Sequence, residues 1–244
     1  MVSGKSGRGK VRGFIKKDIN AGRLSTFWVY EFRTKAEQKS SGKERSFYFS
    51  QGNRKLSKGT LVWNLPRLKT CPCAGICKQF CYEIKTERLY KNALPCRERN
   101  LAFSKTTEFV PEIVAYLRGR KEKTIRLHGS GDLYSKEYFQ KWRQIAIQCP
   151  EKLFYCYTKS FGLFNVYEKL PQNLIMIQSY GSSMDNKIDK NNNTARVIDD
   201  IEEISIMEYL CPVTPPYKKK CGIDCTFCQD KKRNGNIRVA FLKH

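Results

Sequence analysis

Thr124-Ile-Arg-Leu-His128-Gly-Ser-Gly-Asp132 is the stretch that decides the fold. It reads as a short strand that stops at a pair of glycines and delivers an acid. Residues 136–148 follow with Tyr138, Phe139, Trp142, Ile145 and Ala146 on one helical face. Leu153-Phe-Tyr-Cys-Tyr157 is the next strand, residues 161–170 a short helix, and Leu174-Ile-Met-Ile177 a further strand. Strands joined through helices predict parallel pairing by crossover connections. The expected class is α/β, a partial or distorted (β/α) barrel with parallel strands. Chemistry in such folds gathers at the carboxyl ends of the strands, here residues 128–132, 158–160 and 179–185.

Outward from that centre, residues 1–25 read as a flexible basic arm and residues 26–210 as the α/β catalytic-type domain. The domain opens with a predicted hairpin of Thr26-Phe-Trp-Val-Tyr-Glu-Phe-Arg33 with Ser46-Phe-Tyr-Phe-Ser50. Thr60-Leu-Val-Trp-Asn-Leu65 is a strand stopped by Pro66, and a cysteine-rich loop over 71–81 comes next. Helical spacing covers 88–104 and 107–118, with Thr106 or Thr107 as N-cap. Residues 186–200 are polar and expected as a mobile loop. Residues 211–244 form a small irregular module stapled by metal rather than by a core.

Forty-six basic against twenty-three acidic side chains give a net charge of +23. Such a field attracts polyanions, so the expected partner is nucleic acid, DNA ahead of RNA, bound in part through counterion release. No apolar run is long enough to span a bilayer and no secretory leader is visible, which excludes a membrane partner on this reading. The eleven cysteines are then expected in a reducing cytoplasm, as thiolate ligands rather than disulfides.

The cysteines cluster. Cys71, Cys73, Cys77 and Cys81 fall within one loop, and Cys221, Cys225 and Cys228 lie ahead of a terminal His244. The second set suits a tetrahedral zinc of the Cys-Cys-Cys-His type, with Cys211 a spare ligand. Its three-then-two spacing is also that of iron–sulfur enzymes that use S-adenosylmethionine. The first set fits zinc or an iron–sulfur cluster equally. Asp132 is the expected catalytic base or nucleophile with His128 beside it, and Gly129 and Gly131 would let backbone approach a ligand. Ser130, Lys159, Ser160 and Asp185 are the expected substrate and phosphate contacts.

Ser50-Gln-Gly-Asn-Arg-Lys-Leu-Ser57, Asn64-Leu-Pro66, the cysteine loop, the segment from Ile125 to Tyr138 and Phe154-Tyr-Cys-Tyr-Thr-Lys-Ser160 carry a family likeness, as does the Cys-x3-Cys-x2-Cys ending. Together they resemble the gene product 88 family of tailed-phage and prophage proteins, which implies the cytoplasm of a bacterial host. Gly129 stands where that family's pattern has an acid, so Asp132 alone remains of a possible carboxylate pair. More distantly the chain is similar to guanine transglycosylases, whose barrels use aspartate chemistry and a Cys-Cys-Cys-His zinc. It is similar, too, to radical enzymes built on partial barrels, in which Cys73, Cys77 and Cys81 would hold a cluster. The expected function is a nucleic-acid-modifying enzyme exchanging a base, probed against two alternatives. One is an iron–sulfur, radical-type nucleotide-modifying enzyme using S-adenosylmethionine, and the other a non-catalytic, metal-stabilised nucleic-acid-binding factor.

Overall fold

Alternation along the central strands sets the layers. In β4 (Thr60–Trp63), β5 (Thr124–Leu127), β6 (Leu153–Thr158) and β7 (Leu174–Ser179) successive side chains enter different cores. Leu61, Trp63, Ile125, Leu127, Phe154, Cys156, Leu174 and Met176 join one. Tyr155, Ile175 and Ile177 join the other. Both faces of the sheet are therefore covered, which is why these strands read as nearly continuous apolar runs.

The computed structural model describes residues 8–17, 24–33, 46–53, 55–213 and 219–243. The chain forms two compact units, Met1–Arg45 and Ser46–His244. In the first, β1 (Arg8–Lys17) pairs antiparallel with β2 (Leu24–Arg33) along its whole length. Part of the expected arm is thus a strand, and the Thr26–Arg33 stretch takes it as partner instead of residues 46–50. The nearer run closes with the shorter loop. β3 (Phe49–Gln51) pairs antiparallel with β4.

In the second unit eight strands run in the order β3-β4-β5-β6-β7-β8-β10-β9, with β8 spanning Thr194–Ile198, β9 Tyr209–Leu210 and β10 Arg238–Leu242. Every pairing but β3–β4 is parallel, as the α/β reading expects. The order is linear, and no ladder joins β3 to β9 among the described residues.

Four helices accompany the sheet: α1 (Glu83–Leu89), α2 (Ala93–Ser104), α3 (Phe109–Arg118) and α4 (Lys136–Gln148). The single helix expected over 88–104 breaks at residues 90–92. Neither Thr106 nor Thr107 caps α3: Glu108 holds that position without a side-chain bond, and the Thr106 hydroxyl donates to the Phe103 carbonyl. Ser135 caps α4 as an N-cap serine should, accepting from the Tyr138 amide at 3.2 Å. Only a 3₁₀ turn, Ser160–Gly162, forms in the stretch expected as a helix.

Residues 186–200 hold β8, so the expected mobile loop contains a sheet strand. The fully buried Asn193 explains how so polar a segment is fixed. Its amide donates to the Met176 carbonyl and to Asn234, and its oxygen accepts from the amides of Gly235 and Ile237. One side chain thereby joins β7, the entry to β8 and the entry to β10.

The helical core is aromatic. Trp142 meets Trp63 and Phe109 edge-on, at ring separations of 5.6 and 5.4 Å, and all three are fully buried. No helix among the described residues is long and apolar enough to cross a membrane. Trp142→Ala should lower unfolding free energy by about 3–5 kcal/mol in urea titration. Ile206→Ala, at a site 99% exposed, should shift it by no more than about 0.5 kcal/mol.

Candidate functional site

The carboxyl ends of β4 to β7 are knitted into one rim. The Asp132 amide donates to the Thr70 carbonyl at 3.1 Å and the Leu65 amide to the Ser130 carbonyl at 2.9 Å, so the exit of β5 lies against the exit of β4. A Cβ on Gly129 would stand 2.6 Å from Asn64 Oδ1 and one on Gly131 2.5 Å from Thr70 Oγ1. Gly131 also has a φ of +79°. The glycines expected to admit a ligand instead admit the protein's own neighbouring strand exit.

Asp132 is buried, and both carboxylate oxygens are engaged. Oδ1 accepts from the Leu133 amide at 2.7 Å and the Thr158 hydroxyl at 2.6 Å, while Oδ2 accepts from the Lys159 amide at 2.7 Å. Burial raises its pKa, against the pull of these donors and the Lys159 ammonium. The carboxylate is a clamp between β5 and β6 rather than a presented nucleophile. His128, with a left-handed φ of +60°, is buried below it. Its Nε2 bonds Tyr138 Oη at 3.0 Å and its Nδ1 faces Cys156 Sγ at 3.4 Å. Burial holds the imidazole neutral, pushing its pKa down to about 3.

Donor atoms of His128, Asp132 and Cys156 lie within 4.8 Å of one another, close enough to hold a metal ion. All three are enclosed, and His128 and Asp132 already have protein partners. The group reads as a satisfied buried network. Ser130 and Ser160 are buried too, without hydrogen-bond partners for their hydroxyls, so neither is presented to a phosphate. Asp185 accepts from the Gly181 and Ser182 amides, both at 2.9 Å, and so caps the turn after β7. The Lys159 ammonium donates to Ser179 Oγ at 2.7 Å on the rim.

The cysteine loop closes over this rim. Ala74 bridges Ser182, the Ser183 amide donates to the Cys73 carbonyl, and the Ser182 hydroxyl lies 3.0 Å from both the Cys73 and Lys159 carbonyls. Cys71, Cys77 and Cys81 are partly exposed, and their thiols interact electrostatically with one another. The Asp132 carboxylate acts electrostatically on Cys71, Cys73 and Cys77 alike, and the Lys159 ammonium on Cys77. Cys73 turns away, its sulfur 3.5 Å from Met184 Sδ. Cys71, Cys77 and Cys81 are thus the thiols that interact with one another, rather than the evenly spaced Cys73, Cys77 and Cys81. Burial raises the Cys71 thiol to about 12 and raises the Cys77 thiol too, so any metal bound there would have to displace protons.

The loop and α1 carry a surface that the sequence reading did not single out. Phe80, Tyr82 and Tyr90 are 54, 65 and 65% exposed, and Lys78, Lys85, Arg88 and Lys91 stand out among them. The acids of this segment turn inward. Glu83 and Glu87 pair with Arg97, Glu87 also with Arg67 at 2.7 Å. The Tyr82 hydroxyl donates to the Gly129 carbonyl, tying this surface to the rim while its ring stays outside. Charge alternating with aromatics near the cysteines was the available signal.

Cys221, Cys225 and Cys228 lie instead beside the other sheet face, near Tyr155 and Tyr157. His244 lies outside the described residues. No three cysteine sulfurs among the described residues stand within 4.8 Å of one another. A family model described as Gene product 88 matches residues 44–238, most of the chain, so the chain belongs to the gene product 88 family. No curated protein and no solved structure matches it significantly.

A depressed histidine makes stability depend on pH. Unfolded His128 binds a proton below about pH 6.5, whereas folded His128 resists until about 3. Its contribution is complete above pH 6.5 and declines on acidification toward 3, by up to about 1.4 kcal/mol per pH unit. Urea unfolding of wild type and His128→Asn between pH 7 and 4 should show that extra slope in the wild type alone. Parallel slopes would rule out a neutral buried imidazole.

Proposed function

We propose that this member of the gene product 88 family is an iron–sulfur enzyme that modifies nucleic acid, with Cys71, Cys77 and Cys81 as cluster ligands. The observation that carries this reading is that those thiols interact electrostatically with one another in a loop bonded to the carboxyl ends of parallel strands, where α/β folds keep their chemistry. Three thiolates leave one position of a cluster open to a co-reactant, unlike a closed four-ligand site. Bound there, a cluster supplies one-electron chemistry, with S-adenosylmethionine as the co-reactant in the radical form of the reading.

The chain's own groups have distinct tasks in this reading. Asp132 fixes the Lys159 backbone through its amide, and Ser179 holds the ammonium at the mouth, where it meets phosphate. Phe80, Tyr82 and Tyr90 offer faces on which bases stack, while Lys78, Lys85, Arg88 and Lys91 follow the backbone charge. The net charge of +23 favours the same substrate class. DNA is the first form to test.

Base exchange at Asp132 is the weaker reading, because the carboxylate is buried with both oxygens engaged. A non-catalytic binding factor shares the charged surface but has no use for a thiol trio at the rim. A partial barrel remains the architecture that suits this chemistry.

Anaerobically purified protein should be brown and contain iron with matching sulfide. Cys71→Ser, Cys77→Ser and Cys81→Ser should each lose most of that iron, while Cys73→Ser keeps it. A colourless wild type carrying only zinc would end the iron–sulfur reading. Reversing Lys78, Lys85, Arg88 and Lys91 to glutamate should weaken single-strand binding. It should also lower the slope of log affinity against log salt by about 3, from about 0.7 per charge. An unchanged slope would place the substrate elsewhere.

A further inference from the structure

The tail beyond β9 sets Cys211 in the neighbourhood of Cys221, Cys225 and Cys228. Cys211 follows β9 directly and extends its ladder, its amide donating to the Ala240 carbonyl at 2.8 Å. It is buried in the same cluster as Cys228, with Tyr155, Ile175, Ile177 and Val239 of the sheet. Cys221 and Cys225 lie on a tight turn closed by the Gly222 amide on the Cys225 carbonyl at 2.8 Å and the Asp224 amide on the Lys220 carbonyl at 2.9 Å. The turn is also anchored from outside: the Cys221 amide donates to the Lys55 carbonyl, and the Ser57 amide to the Cys221 carbonyl. The thiols of Cys211, Cys221 and Cys225 all interact with that of Cys228.

Polar groups converge on these sulfurs as they do around metal thiolates. Gln229 Nε2 donates to Cys221 Sγ at 3.3 Å, Tyr209 Oη lies 3.7 Å from Cys225 Sγ, and the Tyr157 hydroxyl meets Cys228. Charge supplies a second, independent argument. Arg126 projects from the middle of β5 onto this face, among Tyr82, Tyr155, Tyr157 and Cys221. Its Nε is buried with no hydrogen-bond partner, and its guanidinium lies 5.5 Å from the Tyr157 ring centre. Lys55 lies within reach of Cys211. Neutral thiols give this half-buried guanidinium no counter-charge. Four thiolates on a divalent ion carry a net charge of about −2, which does.

We propose that Cys211, Cys221, Cys225 and Cys228 form a closed tetrathiolate zinc site, with Cys211 rather than His244 as the fourth ligand. Four protein ligands leave no open position, so the site is structural: it fastens the tail to the sheet face opposite the helices. Zinc–sulfur bonds of about 2.3 Å set sulfurs about 3.8 Å apart. The four therefore contract on loading, and the loaded protein resists unfolding better than the stripped one. This inference uses no residue of the cysteine loop and stands or falls apart from the proposed activity.

Zinc-edge X-ray absorption on the full-length wild type should show four sulfur neighbours and no nitrogen. His244→Ala should retain its zinc and release it to a chromogenic chelator at the wild-type rate. Cys211→Ser should release it at least tenfold faster. Three sulfurs with one nitrogen, zinc loss in His244→Ala, or a wild type with no zinc would each overturn the proposal. Should Cys211→Ser fail to fold, the wild-type spectrum and His244→Ala decide alone.

Discussion

A buried carboxylate organises the rim. Removing Asp132 from water is costly, and three short hydrogen bonds from Leu133, Thr158 and Lys159 offset that cost. Those donors come from two strand exits, so satisfying one side chain fixes the distance between β5 and β6. The Asp132 amide then reaches Thr70, at the root of the cysteine loop, and Lys159 leads to Ser179 and Ser182 beyond β7. That chain of contacts holds the cysteine loop at Thr70 and Cys73.

Strand alternation gives the sheet two chemically different faces. Even-numbered and odd-numbered residues of β6 part company: Phe154 and Cys156 meet the aromatic helical core, while Tyr155 and Tyr157 meet the cysteine-bearing tail. In β5 the same alternation sends Ile125 and Leu127 to the helices and Arg126 to the tail. A one-residue slip would bury Arg126 among tryptophans. The register of the sheet is thus enforced from both sides, by apolar burial on one and by charge on the other.

The matched family segment, residues 44–238, nearly coincides with the compact unit Ser46–His244. The β1–β2 pair lies outside it. Within the matched unit the acids of the loop and α1 are spent on Arg97 and Arg67, which leaves the exposed charge of that surface positive. Interior ion pairs here set the sign of an exterior surface.

The α/β class, the order of strands from Thr60 to Ile177, the face of α4 and the two cysteine-rich regions were legible in the sequence, because each rests on neighbours in the chain. Period-two and period-3.6 patterns are local, and so is thiol spacing. Contacts between distant segments were not legible. β8 hides in a polar run because Asn193 satisfies it from 41 residues away through Asn234. β10 enters the sheet between β8 and β9, against chain order. Cys73, not Cys71, looks like the ligand by even spacing, yet Met184 draws it aside. Asp132 looks like a nucleophile until Thr158 and Lys159 are seen to occupy it. Spacing along the chain states which groups can meet; only folding, which trades each buried polar group against a partner from elsewhere, decides which ones do.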